Sequence, residues 1–174
     1  MNKERGLFLG RFNPFHLGHL MAIKEILEQE EELIIAIGTT QQSHSLENPF
    51  TAGERVLMIH AAMKEAKIPL DRLFIVTIPD IFRNSVWVSH LCSYCPPFTH
   101  VYTNNSLTRR LFNEAGFEVR STGPFNRHDY KGSQIRELMI NGTKWQVMVP
   151  KAVLKVIKSI DGLNRLQDII HETD

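Results

Sequence analysis

Short apolar runs rich in β-branched residues alternate along this chain with segments of helical period, and no other feature constrains its fold as strongly. Such alternation is typical of successive strand-helix units around a parallel sheet. The predicted strands are Gly6 to Gly10, Leu33 to Gly38, Leu73 to Ile78, His100 to Thr103 and Phe117 to Arg120. With 174 residues, of which 43% are hydrophobic, the chain suits one domain, residues 1–174. We expect an α/β fold with a doubly wound parallel sheet.

Helices are predicted between these strands from apolar spacing and from start and stop signals. Leu20, Ile23 and Leu27 share one face of a first helix, from about Gly18 to Glu28. Thr51 and Glu54 have the spacing of a capping box, so a second helix follows them. Two more helices are predicted from Asn84 to Ser93 and from Ser106 to Ala115, with Gly116 as the stop. Another starts near Ser133, and a last one begins after Pro150 and carries Val153, Leu154, Ile157 and Ile160. The last two make a helical C-terminal extension.

The first strand leads into Gly-Arg-Phe-Asn-Pro-Phe-His-Leu-Gly-His, residues 10–19, where the first helix begins. The carboxyl edge of a parallel sheet and the N-terminus of a helix both favour a phosphate. His16 and His19 are one helical turn apart, and their imidazoles can donate to phosphoryl oxygens. Gly18 leaves room for close approach, and Arg11 adds a forked cation. Surface or capping histidines, or two zinc ligands, are the alternatives, although no third metal ligand is evident nearby.

A second candidate phosphate motif is Gly-Ser-Gln-Ile-Arg, residues 132–136, at the start of a late helix. Arg136 is unfavourable near the positive end of a helix dipole unless an anion is present. Ser133 can either cap the helix or bond a phosphate oxygen. An ordinary cap with a solvated arginine is the alternative.

These motifs resemble those of a known family. HxGH after a first strand is similar to the signature of the nucleotidyltransferase superfamily, whose histidines hold the triphosphate. Over nearly its full length the chain resembles the archaeal type of nicotinamide mononucleotide adenylyltransferase. The segments that carry this resemblance are the SxxR spacing, Glu47 to Arg55, Ile78 to Ile81 and Phe125 to Arg127. The resemblance implies a Rossmann-like nucleotidyltransferase fold and transfer of the adenylyl group of ATP to nicotinamide mononucleotide (NMN), giving NAD and pyrophosphate by direct in-line attack. By resemblance, His16, His19, Arg11 and Arg136 stabilise the reacting phosphates.

Further residues are expected to contact the two substrates. Trp87 can stack on the pyridinium ring, and Asn84 or Asp80 can bond the carboxamide or ribose, although core packing would also explain the tryptophan. The polar run after the second strand offers hydroxyls and an imidazole to the mononucleotide, unless it is a solvated loop. The expected NMN contacts are Thr40, His44, Asp80, Ile81, Asn84 and Trp87, and the expected ATP contacts are Gly10, Phe12, Gly18, Phe125, Arg127, Tyr130 and Ser133.

Net charge and hydropathy argue against a general nucleic-acid-binding protein, a membrane protein and a secreted protein. A net charge of +1 gives no general attraction to nucleic acid or to a membrane, and no segment reads as a secretion signal or span, so a cytoplasmic location is expected.

We expect no dedicated metal site, with Mg²⁺ arriving on the ATP phosphates. The resemblance implies a homo-oligomer, with a hexamer as the expected state.

Rival functions remain open from the sequence. Within the superfamily, the substrate could instead be a phosphopantetheine or a flavin. Outside it, the chain could be a non-catalytic nucleotide sensor, or a thiol redox protein that uses Cys92 and Cys95. The redox alternative is disfavoured because this CxxC does not follow a first strand.

Overall fold

The computed structural model describes residues 4–123 and 130–172, which form two compact units. The first unit comprises residues 4–10, 22–40 and 71–123, and the second comprises residues 11–21, 41–70 and 130–172. No helix in the described part of the chain is long and apolar enough to cross a bilayer. Phe125 and Arg127 lie outside the described residues.

Five parallel strands in the order β3-β2-β1-β4-β5 make the sheet of the first unit, and this confirms the predicted fold class. The strands are β1 (Arg5–Gly10), β2 (Glu32–Ile37), β3 (Leu73–Thr77), β4 (His100–Tyr102) and β5 (Glu118–Arg120). Ligands of such sheets bind at the carboxyl ends of the strands, where the strand order reverses. Here that position is between β1 and β4. Residue 11 follows directly on Gly10, the last residue of β1.

The core of the first unit lies between its strands and the helices that follow β3 and β4. The helices concerned are α3 (Asn84–Tyr94) and α4 (Ser106–Glu114), after α1 (Leu17–Gln29) and α2 (Ala52–Glu65) in chain order. One apolar cluster joins strand residues to Val88, Leu91 and Phe112 on the two helices. All six residues of β2 are buried, as expected for a strand with neighbours on both sides.

The second unit is helical. Helix α2 packs on α6 (Lys151–Ser159), and α7 (Gly162–His171) packs on both α6 and α5 (Gly132–Ile140). The capping box is present as predicted, because the Thr51 hydroxyl accepts from the Glu54 N–H and the Glu54 carboxylate accepts from the Thr51 N–H. The sequence prediction did not identify α7 as a separate helix.

Candidate active site

His16 and His19 hold each other in place at the start of α1. The Nδ1 atom of His19 accepts from the His16 N–H, and the Nδ1 atom of His16 accepts from the His19 N–H, both at 3.3 Å. The rings stack with centroids 3.5 Å apart and planes 18° apart. Since both Nδ1 atoms are acceptors, the proton of each neutral ring is on Nε2. The ring donor of each imidazole is therefore its Nε2–H.

Burial keeps these histidines uncharged. It lowers the pKa of His16 to about 4, and burial together with His16 holds the pKa of His19 well below its usual range. Two stacked imidazolium ions without an anion would repel each other in a poorly solvated place. The pair is therefore a neutral double donor at neutral pH.

Aromatic side chains surround the imidazole pair. Phe12, 1% exposed and at φ 51°, meets the His19 ring edge-on with centroids 4.7 Å apart. A Cβ added to Gly18 would come within 2.9 Å of the Tyr130 Cβ and 3.1 Å of the His16 Nδ1. Glycine at position 18 thus lets His16 and Tyr130 pack over the start of α1, and the side chain of Phe12 supports His19 from within the unit.

Two buried guanidinium groups bond to the main chain just before the histidines, and Arg11 in that segment carries a third guanidinium. Arg136 is 8% exposed and donates to the Asn13 carbonyl at 2.8 Å, and Arg55 is fully buried and donates to the Arg11 carbonyl at 3.1 Å. Arg11 itself is half exposed, 3.6 Å from the exposed Glu47 carboxylate. The late arginine and the early histidine segment therefore lie together.

The concentration of positive charge affects the buried arginines. Burial, and then Arg11, lower the pKa of Arg55 to about 10, and the same two causes lower the pKa of Arg136. Neighbouring like charges and poor solvation both favour the uncharged form of a cation. An arriving anion would relieve this repulsion, so the arrangement suits a polyphosphate.

The start of α5 differs from the prediction in detail. The helix begins at Gly132 with Lys131 as its N-cap, and no side chain caps it. The suggestion that Ser133 caps this helix is therefore wrong, because Ser133 is already inside the first turn, where it is exposed. The alternative of a solvated Arg136 is also wrong, since its guanidinium turns back to two carbonyl oxygens.

The residues expected to contact NMN lie mostly in the first unit, after β3. Trp87 is half-buried and meets Phe112 edge-on with centroids 5.8 Å apart, so part of its ring packs on the core. Asp80 accepts from the Phe82 N–H, and Asn84 is exposed at the start of α3. Ile81 is partly exposed in the same loop.

Thr40 and His44 border the polar run after β2. The Thr40 N–H donates to the Ile78 carbonyl, within the first unit. His44 is exposed in the second unit, with Nδ1 2.9 Å from the Ser43 hydroxyl.

Cys92 and Cys95 are both free thiols. Burial raises the pKa of each, that of Cys95 to about 11 with a contribution from Cys92. Reactive thiols have the opposite shift, because the thiolate is the nucleophile. The environment of the CxxC therefore disfavours the redox alternative.

Three important residues were not singled out from the sequence. Arg55 is on the apolar face of α2 with Met58 and Ile59, and a charge on such a face is the signal that could have identified it. Asn13 and Asn48 are 3% and 1% exposed and hydrogen-bonded to each other at 3.2 Å. Nothing in local spacing predicts that contact.

Comparison with known proteins assigns the family. A family model described as cytidylyltransferase-like matches residues 7–138. A nicotinamide-nucleotide adenylyltransferase from Archaeoglobus fulgidus is 54% identical over 168 residues, covering 95% of this chain and 97% of that protein. The chain belongs to the nicotinamide-nucleotide adenylyltransferase family. Another adenylyltransferase of that name, from Ignicoccus hospitalis, is 48% identical over 95% of this chain and 97% of its own length.

The fold of this adenylyltransferase family member is also found in a solved structure. A bifunctional NMN adenylyltransferase/ADP ribose pyrophosphatase from Francisella tularensis, complexed with AMP and a manganese ion, matches with a TM-score of 0.80 and 24% identity. The match covers 98% of this chain and 53% of that one, so the chain spans about half the length of the bifunctional protein. This likeness concerns the fold.

Proposed function

We propose that this chain transfers the adenylyl group of ATP to NMN and releases pyrophosphate, making NAD. The observation that carries the proposal is the mutually oriented imidazole pair in a chain of this family, with two buried arginines bonded to the main chain of Arg11 and Asn13 just before the pair. In the reaction, an oxygen of the NMN 5′-phosphate attacks the α-phosphorus of ATP in line. The bond between the α-phosphorus and the β-bridging oxygen breaks, and pyrophosphate leaves with that electron pair.

The proposed role of His16 and His19 is to donate hydrogen bonds from Nε2 to phosphate oxygens of ATP. Negative charge moves towards the pyrophosphate during transfer, and fixed donors stabilise it without reorganising. Both nucleophile and electrophile are already phosphorylated, so alignment and charge stabilisation are sufficient and no covalent enzyme intermediate is required.

The proposed role of the arginines is to neutralise the triphosphate. Arg11, with its half-exposed side chain, is accessible to an anion, and Arg136 is anchored where its guanidinium can serve both carbonyls and a phosphate. Arg55 joins them in this proposal as a buried source of positive charge. Ser133 and the uncapped N–H groups of α5 are further donors for the same anion.

The remaining assignments concern the two nucleosides. We assign ATP to Phe12, Gly18 and Tyr130 beside the histidine pair and to Gly10 at the end of β1, with Phe12 contributing through its main chain because its side chain is buried. NMN is assigned to Trp87, Asn84, Asp80, Ile81, Thr40 and His44. The exposed part of the Trp87 ring is a flat, electron-rich partner for the cationic pyridinium.

A divalent cation belongs to this proposal as part of the substrate. Mg²⁺ prefers oxygen ligands and commonly binds through substrate phosphates, so we propose that it arrives with ATP. Among residues 4–123 and 130–172, no group of three or more His, Cys, Asp and Glu side chains is arranged to hold a metal ion.

Product identification tests the proposed reaction. The protein is incubated with ATP, Mg²⁺ and either NMN or its acid analogue, and the products are identified by mass, with phosphopantetheine and flavin mononucleotide as rival acceptors. NAD and pyrophosphate are expected from NMN. ATP binding without turnover of any acceptor would instead favour the nucleotide sensor.

Replacement of a histidine tests the assigned chemistry. His19→Ala is expected to lower kcat/KM for NAD formation by about a hundredfold or more, because one preorganised donor to the developing charge is lost. Activity within about tenfold of the parent, a difference of roughly 1.4 kcal/mol, would contradict the role.

We also propose that the protein is a homo-oligomer, with six copies as the expected assembly, and that it acts in the cytoplasm. Light scattering coupled to size exclusion measures the mass directly. A mass of about 20 kDa, that of one chain, would contradict the oligomer.

A further inference from the structure

Two buried asparagines connect the segment before the histidines to the segment before α2. The Asn13 Nδ2 donates to the Asn48 Oδ1 at 3.2 Å, and the Asn13 Oδ1 accepts from the Phe50 N–H at 3.2 Å. A buried amide needs such partners, because an unsatisfied polar group is costly in a poorly solvated place. Both segments belong to the second unit.

Asn48 also closes a tight turn with Ser45. Its N–H donates to the Ser45 hydroxyl at 3.1 Å, and its carbonyl accepts from the Ser45 N–H at 3.3 Å. The Asn48 Nδ2 donates to Gln42 at 3.0 Å, earlier in the same loop. Leu46 lies inside this turn, which the Asn48 main chain closes, while the Asn48 side chain joins the turn to Asn13 and to Gln42.

The guanidinium of Arg136 is held by one carbonyl from each connected segment. Its Nη1 donates to the Asn13 carbonyl and its Nε donates to the Leu46 carbonyl, both at 2.8 Å. A guanidinium has five N–H donors in a fixed plane, so two such bonds define where the remaining donors point. If the two segments move apart, Arg136 cannot keep both acceptors.

We infer that the hydrogen bond between Asn13 and Asn48 positions Arg136 for the triphosphate. Asn48 acts through the arginine and is a positioning residue. The inference rests on the proposed function in that ATP is taken as the anion which Arg136 meets.

The test is a double-mutant cycle on the dissociation constant of Mg-ATP, measured by calorimetry and therefore independent of turnover. Asn48→Ala in the parent is expected to weaken binding about tenfold or more, because small misplacement of a charged group has large effects. In an Arg136→Ala background, the same change is expected to weaken binding by less than about threefold, since the residue through which it acts is gone.

Controls separate positioning from simple destabilisation. Asn164→Ala, which removes an exposed amide that donates to Asp161 in the same unit, is the matched control and should leave binding within about twofold. Asn48→Ser also removes the bond to Asn13 but keeps a polar group in place, so the cycle can be run even if Asn48→Ala does not fold.

Equal losses in both backgrounds would overturn the inference, because Asn48 would then act independently of Arg136. Failure of the parent to bind Mg-ATP would overturn it as well. If the parent binds Mg-ATP but makes no NAD from NMN, the proposed function fails, while the cycle still decides whether Asn48 positions Arg136.

Discussion

At the scale of single residues, the protonation of His16 and His19 links the candidate site to folding. Both imidazoles have lowered pKa values in the folded protein, because they are buried and close together. In the unfolded chain they titrate near the ordinary value of 6.5. The unfolded state therefore binds more protons between the two values, and stability falls as the pH drops from about 6.5 towards 4.

His16→Asn is expected to reduce this loss of stability. The parent should lose about 2 kcal/mol more than the variant between pH 7 and pH 5, which is the linkage contribution of one histidine whose pKa falls from 6.5 to about 4. Urea unfolding at the two pH values measures the difference, and the amide of asparagine can still accept from the His19 N–H. Equal pH dependence in both proteins would mean that His16 is not held neutral.

Trp87→Ala tests the assignment of the nicotinamide ring. The KM for NMN is expected to rise about 3- to 30-fold, the range of one cation–π contact, while the KM for ATP changes little. Trp87→Phe is the matched control, since phenylalanine keeps an aromatic ring against Phe112. An unchanged KM for NMN in Trp87→Ala would refute the assignment.

At the scale of elements, the C-terminal helix α7 is tied to the start of α2. Arg165 donates two hydrogen bonds to the Glu54 carboxylate at 2.7 and 2.8 Å and a third to the Pro49 carbonyl. The arginine lowers the pKa of Glu54, chiefly through the side-chain hydrogen bond. Because Glu54 also completes the capping box, one carboxylate serves both helices.

Arg165→Met is expected to destabilise the protein by about 1–2 kcal/mol at pH 7, more than a typical exposed pair because this one is bidentate and largely buried. The contribution of Glu54 is present above its unfolded pKa and is lost as the pH falls through its lower folded value. The difference between parent and variant should therefore shrink below about pH 4.5.

Arg165→Lys provides the control for geometry, because lysine keeps the charge without the planar fork. It should recover only part of the lost stability. Identical unfolding curves for parent and Arg165→Met at pH 7 would show that the tie between the helices contributes nothing.

The sequence predicted elements well wherever the determining interaction is local. All five strands were placed to within a residue or so at each end, and the capping box was read from Thr51 and Glu54 alone. The features that were not predicted depend on contacts between residues distant in the sequence or on a local backbone conformation that apolar spacing does not encode. Helix α6 ends before Asp161, which adopts a left-handed conformation at φ 54°, and α7 then begins at Gly162, a break that apolar spacing does not reveal. Arg136 was assigned to phosphate, but its anchoring carbonyls come from residues about 90 and 123 positions away.

At the scale of the whole molecule, binding of Mg-ATP should stabilise the fold. A ligand at about 100 times its dissociation constant adds roughly 2.7 kcal/mol of stability. For a chain of this length that raises Tm by roughly 5 to 10 °C. Thermal unfolding with Mg-ATP measures the shift, with inorganic phosphate at the same ionic strength as the control. An equal shift with inorganic phosphate would mean that the triphosphate and adenosine are not recognised.

The spatial order of the strands was not predicted from the sequence. Alternating strands and helices indicate a parallel sheet, but each crossover can pass to either side of the strands already placed. The order with β1 central and β4 beside it follows from packing among distant residues, such as Leu7 with Val101.

The mutual hydrogen bonds of His16 and His19 have a consequence for how such a chain can change. Four consecutive residues orient both rings, since each imidazole accepts a hydrogen bond from the main-chain N–H of the other histidine. These orienting hydrogen bonds lie entirely within residues 16–19 and need no partner from elsewhere in the chain. At the start of another helix, we expect residues 16–19 to keep this ring orientation, provided that aromatic contacts equivalent to those of Phe12 and Tyr130 are supplied.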